Sequence, residues 1–440
     1  MLLVWGARFV AVLVLAGGLL FLGVFHSALY NRFITFPKEA AAWQALRDLR
    51  EEVNLDDGYT DYPGVCHSHS NLSHDSNVPF EEVLQALKDS GRQFICMSDH
   101  CVGATADFSL QWRGMHDGVL FVPGFEMRDG LMPFGLPSNA VLQCGEPIEK
   151  LAQIVKDEGG VVFFAHSEEE RMWDLPQLDG MEIYNLHTDF KDEAEKGQNG
   201  YIQMAPDMIL SLRAYPDQTF RLVFDEQTDI LELWDDLNKT RDITGIAGND
   251  CHQNNGITLT YTEADTLILA DTSIKEIGEY ELNFFTRLLA RIAFGPLEPG
   301  REVFNFQLDP YERMVRFAST HALMHELTEE ALLEALETGR VYVGFDMIAD
   351  PTGFTFIADN GTERATMGEK MPYDNRVRLR AESPIPCRFT VIHDGETVFT
   401  YEGRTLEWAP SAPGKYRVEA HLDILGSWTP WVYTNPLALL

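Results

Sequence analysis

Positive charge is scarce in this chain. Its 440 residues carry 34 Lys and Arg against 68 Asp and Glu, a net charge of −34, and no basic stripe gathers the few cations there are. A phosphate backbone is held mainly by cationic contacts, so nonspecific nucleic-acid binding is excluded. Cysteine is scarce as well. Cys66, Cys96, Cys101, Cys144, Cys251 and Cys387 are scattered, with no C-x-x-C pair, which argues against a disulfide scaffold or a paired-cysteine zinc site. The expectation for them is small buried hydrophobes. Glycine-rich phosphate loops and a G-x-S-x-G elbow are absent, which disfavours an NTPase or a serine hydrolase. Repeats and low-complexity tracts are absent too.

Long apolar runs are missing but for one, FVAVLVLAGGLLFLGVF at 9–25, which follows Arg8 and precedes Arg32 and Lys38. Its length and lack of charge lead us to expect an N-terminal transmembrane helix, with a cleaved signal peptide as the rival. The corresponding localisation is membrane-anchored, with the catalytic domain periplasmic or extracellular.

What is present is an ordinary globular composition, 45% hydrophobic and 23% charged, with a regular alternation of patterns. The segment 36–53 reads as an amphipathic spacer helix with Ala42, Leu46 and Leu49 on one face. Short apolar runs at 64–69, 93–98, 119–126, 160–166, 180–186 and 243–249 read as strands. Helical periodicity at 80–90, 148–158, 228–239 and 328–338 separates or follows them. Such alternation implies βα units and a parallel sheet or barrel. Past Arg340 strict alternation, a tight-turn Asp394-Gly395 pair and frequent prolines read as a small antiparallel β-sandwich. The expected division is 1–33 anchor or signal, 34–60 spacer, 61–340 barrel and 341–440 sandwich.

The chemistry sits in the histidines. His67-Ser68-His69 ends the first expected strand, where period two puts both imidazoles on one face. Asp250-Cys251-His252 repeats that arrangement at the last. Between them Asp99-His100, Glu126 and His166 each close an apolar run. In a ring of parallel strands the carboxyl ends gather on one rim, so these groups converge as a polynuclear metal site would require. His321 and His325 stand at helical i, i+4 spacing but lack the Glu of H-E-x-x-H, and read as a helix surface.

These residues resemble a known family. His67-Ser68-His69, Leu72-Ser73-His74-Asp75, Ser98-Asp99-His100, Gly124-Phe125-Glu126, His166 and Gly248-Asn249-Asp250-Cys251-His252 are similar, in order over about 60–340, to the metal motifs of the polymerase and histidinol phosphatase (PHP) superfamily. Leu308-Asp309-Pro310-Tyr311-Glu312 and Pro430-Trp431 to Asn435-Pro436 resemble its branch that includes carbaryl hydrolases. The resemblance implies an α/β fold, a distorted (β/α)7 TIM-like barrel, holding two or three divalent transition metals (Zn, Mn or Fe). It places His67, His69, Glu126 and Asp250 around one metal, with Glu126 bridging to a second held by His166. A further ligand of the second metal is expected from 182–187, where Glu182 and Tyr184 share one face and Asn185 and His187 the other; His187 is taken. His74, His100 and His252 would hold the third, with His74 where relatives have Asp. Asp99 is expected to orient His100 rather than to ligate.

The function expected is a metal-dependent hydrolase using a metal-bridged hydroxide, a phosphoesterase acting on a small substrate, with Glu126, Asp250, His187 and Asp99 as its working side chains. A carboxylic ester, carbamate or amide hydrolase with the same site is the alternative, its apolar pocket lined by Phe125, Trp173, Tyr184 and Phe190. A metal-holding binding module is the non-enzymatic one. Arg171, in the acidic loop after His166, is a candidate contact to a leaving group, set against a solvated loop.

Overall fold

The computed structural model describes residues 18, 21–189, 200–272 and 275–440. Near-continuous apolar runs such as Val161–Phe164 (VVFF) and Val119–Val122 (VLFV) are buried along their whole length, the pattern of strands covered on both faces. Thr60–Ser68 lies at the middle of this part of the sheet. Phe94–Cys96 pairs parallel to it on one side and leads to Val119–Val122, also parallel. On the other side come Thr244–Cys251, then Gly180–Asn185, then Val161–Phe164, every pairing parallel. The strands share one direction, so their carboxyl ends form one edge, and the earliest and latest of them are neighbours there.

Helices cover this sheet with one apolar stripe each. Phe80–Asp89 buries Phe80, Val83, Ala86 and Leu87, and Ile148–Asp157 buries Leu151, Ala152 and Val155. Glu329–Thr338 starts at Thr328, whose side chain accepts from the Ala331 amide, and stops at Gly339 in the left-handed region, φ 82°. Its Leu332, Ala335 and Leu336 join Phe94, Phe134 and Phe163 in the core.

The expected (β/α)7 TIM-like barrel with a separate sandwich is corrected by the pairings. The fold is mixed α/β around one eighteen-stranded sheet. Leu131–Phe134 and Ser319–Met324 run antiparallel to their neighbours Val161–Phe164 and Thr60–Ser68. Val341–Gly344 then pairs with both Ser319–Met324 and Ser427–Thr434, which carries the hydrogen bonds on into the C-terminal antiparallel strands. Hydrophobic pattern specifies a strand's faces but not its edges, so this continuity is invisible in sequence. A separate four-stranded antiparallel sheet, in the order 276–281, 266–271, 256–261, 302–307, follows Thr244–Cys251. The Asp394-Gly395 turn joins Arg378–His393 to Glu396–Trp408, with φ of 47° and 87°.

The transmembrane helix and the membrane-anchored localisation are also corrected. Among the described residues no helix is long and apolar enough to cross a membrane. The run at 9–25 lies largely outside the described residues, and the helical stretch that carries its end continues through Arg32, Lys38, Glu39 and Arg47. Two compact units are found: Met1–Arg50 with Thr188–Glu226 and Leu422–Thr429, and Glu51–His187 with Gln227–His421 and Pro430–Leu440. In the first, the helix Phe36–Asp48 packs through Phe36, Glu39 and Trp43, while Leu49 is exposed.

Two smaller expectations change as well. Cys101 and Cys144 form a disulfide, whereas Cys66, Cys96, Cys251 and Cys387 are free and buried as expected. The pair meets because Thr105–Asp107 lies antiparallel to Val141–Gln143, a long-range pairing that spacing alone does not reveal. His321 sits on the strand Ser319–Met324 rather than a helix and is fully buried, at the end of the sheet opposite the carboxyl edge. Its Nδ1 is 2.9 Å from Asp61 and its Nε2 3.4 Å from Asp346, which also takes Arg92 at 2.5 Å.

Burial alone would lower the His321 imidazole, but Asp61 and Asp346 outweigh it and raise it from 6.5 to about 10. A raised folded-state value means that the contribution is fully present below about pH 6.5 and is lost as pH rises through about 10. Removing one partner of a buried pair costs roughly 3–5 kcal/mol. His321→Asn is therefore expected to lower unfolding free energy by that order near pH 6, with the deficit shrinking toward pH 10. Urea titrations across that range check it, and a deficit that does not vary with pH would refute it.

Candidate metal centre

Histidines and carboxylates from different strands converge at the carboxyl edge. His67 and Asp250 lie at the ends of adjacent parallel strands, and the register between those strands shifts at Cys66 and Ser68. His67, His166 and Asp250 all adopt left-handed backbone conformations, with φ of 69°, 51° and 50°. For residues other than glycine this costs roughly 1–3 kcal/mol each and is tolerated where the surroundings fix it. Here it turns side chains out of the regular pleat and toward one another.

Asp250 Oδ1 is 3.1 Å from both His67 Nε2 and His69 Nε2, and those two nitrogens are 3.2 Å apart. Glu126 Oε2 closes the group at 3.4 Å from His67 and 3.6 Å from His69. Glu126 Oε1 faces the other way, 3.3 Å from His166 Nε2, and Asp250 Oδ2 is 3.5 Å from that same nitrogen. Both carboxylates thus present one oxygen to the His67 and His69 side and one to His166. A further group joins His69, Asp75, His100 and His252, and another joins His187, Asp250 and His252. In each of these groups the ligand atoms lie within 4.8 Å of one another.

The expected residues are placed as follows. His67, His69, Glu126 and Asp250 form one group, and His187 sits with Asp250 and His252 rather than being defined by His166. His100 and His252 meet at Asp75 Oδ2, each at 3.4 Å. His74 stands outside these groups, its side chain 76% exposed and its Nε2 3.8 Å from Asp75 Oδ2, while Asp75 itself joins His69, His100 and His252. Sequence reasoning missed Asp75 because the loop after His69 has no periodicity from which to read direction. Asp99 is buried and accepts from Ser70 N at 2.6 Å, Ser73 Oγ at 3.2 Å and Gln111 Nε2 at 2.7 Å. Ser73 Oγ in turn lies 2.9 Å from His69 Nδ1 and accepts from the His100 amide at 2.9 Å. Asp99 therefore braces the loop that orients His69, with His100 reached through its backbone. Arg171 is committed to the Ala165 carbonyl at 2.9 Å and to Glu169 at 3.1 Å, holding the loop after His166. Asp309 likewise accepts from Asn255 N and Nδ2, both at 3.0 Å, and braces the chain after His252.

Glu182 is the second residue sequence reasoning passed over. A lone acid inside the buried strand GMEIYN was the available signal. Its Oε1 lies 2.5 Å from His67 Nδ1, and its Oε2 accepts from the His166 amide and from Asn185 Nδ2, both at 2.8 Å.

The charges of this cluster compensate one another. Burial would push His67 down, but Asp250, Glu182 and Glu126 prevail and hold it well above an ordinary imidazole. Burial, then His252, keeps His69 well below. Burial would raise Glu126 and Asp250, yet the imidazoles around them, His67 foremost, hold both carboxyls well below their usual range. Burial lowers His187. Asp250 Oδ1 and His252 Nε2 are buried and meet their neighbours at 3.1–3.4 Å without the geometry of a hydrogen bond, and His187 Nδ1 is buried with no hydrogen bond among the described residues. Converging imidazoles and carboxylates with unsatisfied lone pairs fit divalent transition metals such as Zn, Mn or Fe, whose ligands these are.

No family model matches the chain, and no curated protein does. Among solved structures, it is similar to a two-domain protein from Bacteroides vulgatus ATCC 8482 described as containing a predicted PHP-like metal-dependent phosphoesterase. The identity is 13% over 88% of this chain and 99% of that one, with a TM-score of 0.34.

The contrast between His74 and Asp75 is directly measurable. Asp75→Asn is expected to cost about one metal equivalent by elemental analysis of the zinc-reconstituted protein, whereas His74→Ala keeps the wild-type content. Equal loss in both variants would remove Asp75 from the ligand set.

Proposed function

We propose that the chain is a metal-dependent hydrolase, and most specifically a phosphoesterase acting on a small substrate. The observation that carries this reading is the sharing of Glu126 and Asp250: each directs its two oxygens to different imidazoles, the geometry needed to hold cations side by side. His67 and His69 would complete one position and His166 a second, while Asp75, His100 and His252 supply a further one, with His187 beside Asp250. Bound divalent cations would supply Lewis acidity, activating water at neutral pH and neutralising charge on phosphoryl oxygens.

The chain's own residues do the rest. Glu182, Ser73 and the Asp250 carbonyl engage the Nδ1 atoms of His67, His69 and His252 at 2.5, 2.9 and 3.1 Å, leaving each Nε2 toward the cluster. His100, His166 and Asp75 are partly exposed, so the cluster opens to solvent on their side while His67 and His69 are sealed beneath. In a chain with a net charge of −34, a cation-holding edge would be a local focus for an anionic substrate.

The carboxylic ester, carbamate or amide alternative needs an apolar pocket beside the cluster. Phe125 and Tyr184 are instead packed in the core, against Phe108 and against Phe317 and Phe345. Trp173 packs edge-on against Phe164, and Phe190 lies outside the described residues. Phe125 and Tyr184 are thereby withdrawn from the wall of such a pocket.

The metal-reconstituted protein is expected to bind two or three transition metals per chain and to turn over a nitrophenyl phosphomonoester or phosphodiester, with inorganic phosphate as a competitive inhibitor. His67→Ala with His69→Ala should abolish turnover while circular dichroism shows the fold retained. Metal content below one equivalent after reconstitution would sink the metallohydrolase reading. Turnover of aryl carbamates or carboxylic esters, with no phosphoester activity under any metal, would replace the substrate class.

A further inference from the structure

We infer that Glu182 is a positioning residue that ties His67 to the backbone of His166, so that one buried carboxylate holds two metal positions in register. The inference deepens the metallohydrolase reading and rests on it. Glu182 is 1% exposed, and donors face both of its oxygens: His67 Nδ1 at Oε1, and the His166 amide with Asn185 Nδ2 at Oε2. A carboxylate is acceptor-only at both ends, so its length and chemistry match this arrangement. A hydrogen on His67 Nδ1 leaves the Nε2 lone pair for the cluster, toward Asp250 and Glu126. The other oxygen fixes His166 through its main-chain amide, at a residue held in the left-handed region with φ 51°.

Two further features hold Glu182 itself. Asn185 donates to it while Gln227 brackets the Asn185 backbone, donating from Nε2 to the carbonyl at 3.1 Å and accepting from the amide at 3.4 Å. Gly248 supplies the space, because a Cβ at that position would lie 2.1 Å from Glu182 Oε1. Gly248 precedes Asp250 by two residues, so the chain that brings in one ligand also makes room for the carboxylate orienting another.

Glutamine at 182 has the right size but only one acceptor oxygen. If that oxygen faces His67, the amide group confronts two donors at the His166 end. If it is reversed, the amide group confronts His67 Nδ1. Either way one of the two ties is broken.

The test uses the full chain with zinc as the probe. Glu182→Gln is expected to weaken zinc binding by about 10- to 100-fold. Nitrogen NMR of the metal-free protein should show either loss of the His67 Nδ1 proton or loss of exchange protection at the His166 amide. Gly248→Ala, which keeps the carboxylate but displaces it, should reproduce the weaker binding. Wild-type zinc affinity in Glu182→Gln, or a lowered melting temperature with both NMR signals unchanged, would overturn the inference. If the wild-type chain itself binds no zinc, the hydrolase reading fails, whereas the NMR comparison still decides whether Glu182 ties the two histidines.

Discussion

Asp250 is the constraint around which this molecule is arranged. A carboxylate sealed in a protein interior costs several kcal/mol of lost hydration unless partners replace the water. Here the partners are imidazoles drawn from several strands, at about hydrogen-bond distance but too many for the hydrogens available: His67 and His69 both stand 3.1 Å from the same oxygen. The ordering of strands follows from this need. The strand bearing His67 and His69 and the strand bearing Asp250 and His252 are adjacent and parallel, although nearly the whole length of the fold's first half separates them in sequence.

The backbone shares in the cost. His67, His166 and Asp250 occupy conformations that glycine would adopt without strain, yet glycine would offer no ligand. Glycine is used instead where a ligand's support needs room, at Gly248 beneath Glu182. Stability is provided elsewhere, by the apolar layer of Phe94, Phe134, Phe163 and Leu336 and by the buried His321, Asp61, Asp346 and Arg92 network at the far end of the same strands. Asp61 and His67 stand on one strand, Thr60–Ser68, so a single segment anchors the fold at one end and presents the cluster at the other.

Legibility followed the range of the interaction. Strands such as Val161–Phe164 and helices such as Phe80–Asp89 were readable because local periodicity reports which face is buried. Ligand types at strand ends were readable for the same reason. Pairing partners were not, since edges carry no side-chain pattern, and so the continuous sheet, the antiparallel Ser319–Met324 and the Cys101 to Cys144 bridge were hidden. Loop direction was hidden as well: the resemblance pointed to His74, and no pattern in that loop brought Asp75 into consideration. Glu182 was hidden because alternation put it on the face opposite Asn185 and His187, whereas the register shifts between Glu182 and Tyr184, the strand ends at Asn185, and Asn185 donates to the carboxylate that backs His67.

That last point bears on how such a centre is specified. The residues that touch the cluster are chemically ordinary, and H-x-H pairs arise by chance. Discrimination comes from what stands behind them: Glu182 behind His67, Ser73 and Asp99 behind His69, the Asp250 carbonyl behind His252. Each supporting group engages Nδ1 and leaves Nε2 free, although the supports differ in kind, a carboxylate, a hydroxyl and a main-chain carbonyl. The supports also overlap: His252 Nδ1 faces the Asp250 carbonyl at 3.1 Å and the Asp250 carboxylate at 3.2 Å, so the residue that joins the cluster through its side chain also orients a neighbouring imidazole through its main chain.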